Sequence, residues 1–72
     1  MAYVVTNEGT GATVTIEASD AHDAANSAAV QFGAVYAQPH TKRANVFVLY
    51  DKIESSHGTY AKGGSVTVRD SN

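Results

Sequence analysis

The chain has 72 residues, no cysteine and a formal net charge of −2. A chain this short buries only about 60% of its unfolded surface: residues 1–72 are read as one domain, which no disulfide can brace and in which no thiolate can act as nucleophile or metal ligand. Charged residues make up 17% and hydrophobic residues 43%; no run approaches the ~18 apolar residues of a membrane span, and MAYVVTNEG places no basic region before its apolar run, so the expectation is a soluble, non-secreted, cytoplasmic protein with no membrane partner.

Ala2 to Thr6 is rich in Val and Tyr, and Ala12 to Ala18 alternates, with Val14, Ile16 and Ala18 on one face and Thr13, Thr15 and Glu17 on the other. Both read as strands. The intervening Asn7-Glu8-Gly9-Thr10-Gly11 makes them a hairpin, since its glycines can take positive φ. One register pairs Val4 with Val14 and Ala2 with Ile16. A one-residue slip would instead turn Tyr3 and Val5 to the core. The first is mildly preferred.

The most informative stretch is Ser19 to Gly33, SDAHDAANSAAVQFG. Ser19 or Asp20 caps a helix, and Asp20 and Asp23 favour the positive end of its dipole. Ala21, Ala24, Ala25, Ala28 and Phe32 follow helical spacing and form an inner face with little bulk, suited to close packing on a sheet. Gly33 is the stop. Residues 34–44, with Pro39, read as a connection from which Val35 and Tyr36 fold back on the core.

Asn45 to Glu54 holds the run Val46-Phe47-Val48-Leu49-Tyr50, a central strand covered on both sides. Ser55 to Gly58 reads as a turn and Thr59 to Arg69 as the last strand. A regular turn pairs Phe47 with Val66 and Val48 with Ser65. An extra residue at Gly63-Gly64 would pair Val48 with Val66 and Val46 with Val68, and a glycine bulge there is expected. Asp70 to Asn72 should fray. The predicted fold class is α+β: a four-stranded, mostly antiparallel sheet with one helix packed on one face, in the order ββαββ.

No catalytic pattern emerges, and the chain is read as non-enzymatic, without a cofactor or a bound metal. Asp20, His22 and Asp23 cluster at the helix start, but capping explains both aspartates and zinc needs three or four converging ligands. Ser56-His57 reads as turn chemistry. No Lys or Arg precedes Lys42, so the molecule has either an acidic and a basic side or a mixture made by folding. The basic half supplies a candidate anion or nucleic-acid contact: His40, Lys42, Arg43, Lys52, Lys62 and Arg69. On the outer helix face Val30 lies opposite Ala21, beside Asp23, Asn26 and Ser27. Depletion of charge marks the centre of many interfaces, so Asp20, Asp23, Asn26, Ser27 and Val30 are the candidate protein-binding residues; a homodimer is a further option. As a subunit of an assembly, the chain could pair through Ala2 to Thr6 or Thr59 to Arg69 as edge strands.

Two resemblances accompany this reading. RANVFVLY, Arg43 to Tyr50, resembles part of the RNA-recognition-motif signature at Arg43, Phe47, Val48 and Tyr50, but not at Ala44, Asn45 or Val46; the resemblance implies base stacking by Phe47. TVTIEASDAHDAANSAA, in so short a cysteine-free chain, resembles small phage and mobile-element proteins, including anti-CRISPR-type inhibitors. That likeness is architectural and implies an inhibitor or regulator that occludes a surface of a larger host complex.

Overall fold

The computed structural model describes residues 1–54 and 58–71, with side chains for 1–50 and 64–71. In chain order the elements are β1 (Ala2–Asn7), β2 (Thr13–Glu17), α1 (Ala21–Gln31), β3 (Tyr36–Pro39), β4 (Val46–Glu54) and β5 (Gly58–Asp70). The strands form one sheet in the order β2-β1-β5-β4-β3, antiparallel at every junction. The fold is therefore α+β with one helix on an antiparallel sheet, in the order ββαβββ. Residues 34–44 contain a fifth strand where a plain connection was expected. Of the turn expected at Ser55 to Gly58, Gly58 begins β5 and the other three residues lie outside the described ones.

Alternation builds the core. Tyr3 and Val5 of β1, Ile16 of β2, Val66 and Val68 of β5, Phe47 and Leu49 of β4 and Ala37 of β3 share one face of the sheet. The helix covers it with Ala24, Ala25, Ala28 and Ala29, all fully buried, while Ala21 and Phe32 pack half-buried against the cluster. Each alanine offers only a methyl group, so the bulk comes from the sheet, where Leu49, Val5 and Val66 are the largest fully buried side chains among the described residues.

This packing selects the registers. β1 and β2 pair Tyr3 with Ile16 and Val5 with Val14, so the mildly preferred pairing of Val4 with Val14 is corrected by one residue. The slip puts Tyr3 and Val5 under the helix in place of Ala2 and Val4, and the exchange of alanine for tyrosine buries more apolar area. Between β4 and β5, Phe47 pairs with Val66 and Val48 with Ser65, as a regular turn predicts. The pairings of Val48 with Val66 and Val46 with Val68 do not occur: Val66 and Val68 already face the helix with Phe47 and Leu49, and a shift would turn Val48 there instead. The irregularity at the glycines is nevertheless present. The register shifts after Val48, opposite the segment holding Gly63 and Gly64, and Gly64 takes φ +82°.

Other expectations change with the topology. β5, between β1 and β4, is the central strand, and β4 lies between β5 and β3. The helix covers β4 on one face only; on the other, Val46 is buried and Val48 and Tyr50 are half-buried. Val35 does not fold back on the core but is 52% exposed. Asp70 does not fray from β5: it pairs with Tyr3, and the Ser71 N–H donates to the Ala2 carbonyl at 3.1 Å.

The helix ends as its residues dictate. Asp20 is the N-cap, its carboxylate accepting from the Asp23 N–H at 2.8 Å. At the other end the Gly33 N–H donates to Val30 and the Ala34 N–H to Ala29, with Gly33 at φ +86°. This is a Schellman ending, which requires a left-handed residue just past the helix. A Cβ at Gly33 would meet no atom within 4 Å, so Gly33→Ala isolates the backbone strain. It should cost about 1 kcal/mol, read as a lower urea midpoint at an unchanged slope.

Candidate functional site: the outer helix face and the sheet edges

Around α1 the side chains divide into three groups. The alanines face the sheet. Asp23, Ser27, Val30 and Gln31 face outward and are exposed, Val30 at 65%. Between them lie His22 and Asn26, both half-buried, one turn apart on the flank toward β3. The Asn26 Oδ1 accepts from the Ala37 N–H at 2.7 Å, and the His22 Nε2 donates to the Ala37 carbonyl at 2.9 Å. The His22 ring also stacks on Phe47, with centroids 5.4 Å apart.

These contacts close the outer edge of β3. The His40 N–H donates to the Val46 carbonyl, and this phase directs the even-numbered residues of β3 toward β4 and Ala37 and Pro39 outward. Pro39 has no N–H to offer, and both main-chain groups of Ala37 are bonded to the helix. A sheet edge protected by proline and by a covering helix cannot recruit another strand. Asn26 is thus engaged within the fold rather than free on the outer face beside Val30. Its role had a signal in sequence: His22 and Asn26 are four residues apart, on a flank that neither the alanines nor Val30 occupy.

Asp20 and Asp23 are also engaged. Asp20 caps the helix, and the Asp23 carboxylate accepts from the N–H and hydroxyl of Ser19, each at 3.4 Å. His22 is tied to Ala37. Among the described residues no three His, Asp or Glu side chains converge on a metal site, and no cavity opens.

The basic loop is partly occupied. The His40 Nδ1 accepts from the N–H groups of Lys42 at 3.0 Å and Arg43 at 3.2 Å, organising the turn. The Arg43 guanidinium makes a two-point contact with Glu8, Nη1 to Oε1 at 3.1 Å and Nη2 to Oε2 at 2.9 Å, and the Ser65 hydroxyl donates to Oε1 at 2.6 Å. Here folding joins the acidic and basic halves. Arg69 is exposed on the helix-free side of β5, where it pairs with Val4. The side chains of Lys52 and Lys62, like all of Ser56 and His57, lie outside the described ones.

The run resembling the RNA-recognition motif places its residues differently from that likeness. Phe47 faces the helix and is buried against His22, so it cannot act as an exposed stacking platform. Parity puts Tyr50 on the opposite face, stacked on Tyr36 with centroids 5.1 Å apart.

Two predictions follow from these contacts. Asn26→Ala leaves the Ala37 N–H without its acceptor and should lower stability by about 1–3 kcal/mol. Asn26→Asp, which keeps an acceptor in place, should recover most of the loss in the same urea titration. The Ser65 hydroxyl first and Arg43 second hold the Glu8 carboxyl below its ordinary value of 4.5. Because the folded-state value is the lower one, this contribution to stability is complete above the unfolded value and is lost as pH falls through the folded one. An NMR titration should find Glu8 below the ordinary range, moving up in Arg43→Ala; an ordinary value in the parent chain would contradict the pairing. Comparison of the chain with family models, curated proteins and solved structures finds no match in any of the three.

Proposed function

We propose that the protein is a non-enzymatic binding protein that masks a surface of a larger protein, with the outer face of α1 as its contact. Val30 carries the reading. It is 65% exposed in the middle of an outer face whose other exposed members are Asp23, Ser27 and Gln31. Surface helices are ordinarily furnished with Lys, Glu and Arg, which favour both helix and solubility. An exposed valine on a face whose one charge is Asp23 forfeits that benefit, and the forfeit is recovered when a partner covers it. The resemblance of residues 13–29 to small phage and mobile-element proteins supports an inhibitor or regulator acting on a complex in a host cytoplasm.

A nucleic-acid contact through His40, Lys42, Arg43, Lys52, Lys62 and Arg69 is the alternative. It has less in its favour, because a phosphate would have to displace Glu8 from its two-point contact with Arg43.

The test compares the parent chain with Val30→Glu and Arg43→Ala as immobilised baits in a host extract, with retained proteins identified by mass spectrometry. Glutamate is at least as good a helix former as valine, so Val30→Glu should keep the parent circular dichroism and melting temperature. A complex retained by the parent should be lost with Val30→Glu and kept with Arg43→Ala. Retention that Val30→Glu leaves unchanged would overturn the reading. Retention of nucleic acid that falls steeply with salt and with Arg43→Ala would favour the alternative.

A further inference from the structure

We propose that two copies of the chain associate edge to edge through β2, in antiparallel register centred on Thr15. The inference comes from the contrast between the two outer strands. The edge of β3 is closed by Asn26, His22 and Pro39. Among the described residues β2 pairs with β1 alone. Main-chain bonds between Asn7 and Ala12 at one end and Met1 and Ala18 at the other set the phase of that ladder. The even-numbered residues of β2 face β1, and Thr13, Thr15 and Glu17 direct their N–H and C=O groups outward. Ala2–Thr6 and Thr59–Arg69, the segments expected to offer edges, are interior, so β2 is the open one.

β2 has no proline, lysine or bulge to guard its edge, and its one charge, Glu17, pairs with the N-terminal ammonium at 3.4 Å. Its outward groups suit a second copy. One antiparallel register uses all three residues, with Thr13 opposite Glu17 and Thr15 opposite Thr15, each pair exchanging two main-chain hydrogen bonds. On the helix side the same register sets Val14, only partly buried in one copy, beside Ile16 of the second copy, covering its exposed flank. On the other side the Thr13 hydroxyl meets the Glu17 carboxylate of the second copy, and the two Glu17 residues lie at opposite ends. Apolar meets apolar and donor meets acceptor, and β2 itself carries no lysine or arginine, the N-terminal ammonium lying 3.4 Å from Glu17. So short a contact falls below the ~1,200 Å² of stable complexes, so the association is weak and concentration-dependent. It leaves the Val30 face free and does not depend on the function proposed above.

The test is a concentration series on the isotopically labelled chain by NMR, with sedimentation equilibrium on the same samples. The amide signals of Thr13, Thr15 and Glu17 should move together as concentration rises, with a rising average mass. Thr15→Pro deletes an outward N–H that β1 does not use, so the monomer fold should survive while association weakens at least tenfold. Thr15→Lys sets like charges opposite each other and should act in the same direction, whereas Val30→Glu should associate as the parent does. Amide signals that stay fixed to millimolar concentration, or a dimer that persists in Thr15→Pro, would overturn the proposal.

Discussion

The close approach of α1 to the sheet is the constraint on which the other features rest. Four buried alanines let the helix main chain lie near the strands, and at that distance the short side chains of Asn26 and His22 reach the main chain of β3. Larger residues at positions 24, 25, 28 and 29 would lift the helix away, and Asn26 could no longer accept from Ala37. The bulk missing from the helix is supplied by Val5, Leu49, Phe47 and Val66 from below. Small residues above and large ones below are therefore parts of one solution to filling a thin core at ordinary packing density.

The helix is not centred on the sheet: it packs most extensively against β3 and more sparsely against β2. The β3 side gains both a cover and a hydrogen-bonded edge. The β2 side keeps an open edge and a partly exposed Val14. Val30, on the outward side of the helix, takes no part in either. The molecule thus presents two separate surfaces whose exposure follows from one packing choice: an apolar point on the helix and a strand edge with free main-chain groups.

Charge is distributed by folding rather than by position along the chain. The acidic first half and the basic second half meet at Glu8 and Arg43, with Ser65 completing the acceptor's environment. Arg43 is thereby a clamp between the β1–β2 loop and the loop before β4. This changes the meaning of the RANVFVLY run as well. Its arginine is engaged with a carboxylate and its phenylalanine is buried under a helix, so the residues shared with a nucleic-acid signature serve the interior of this fold.

The helix, its aspartate cap, its glycine stop and its alanine face were legible in the sequence because they are local. Capping needs an acceptor three residues from its donor, and periodicity needs only neighbours on one face. Val30 was legible for the same reason, as the residue opposite that face. β3 was not, because four residues containing a proline carry no alternation of their own and become a strand only when β4 offers a partner. The strand registers were beyond local reading too: moving β1 by one residue exchanges Tyr3 and Val5 for Ala2 and Val4, and only the helix lying across the sheet decides which pair is buried. The roles of Asn26, His22 and Arg43 depend on partners 11 to 35 residues away. Sequence by itself determined which elements could form and which faces were apolar; the tertiary structure decided which strand edge is closed, which is open and which polar side chains are already engaged, because those outcomes rest on contacts between segments that have no local signal of one another.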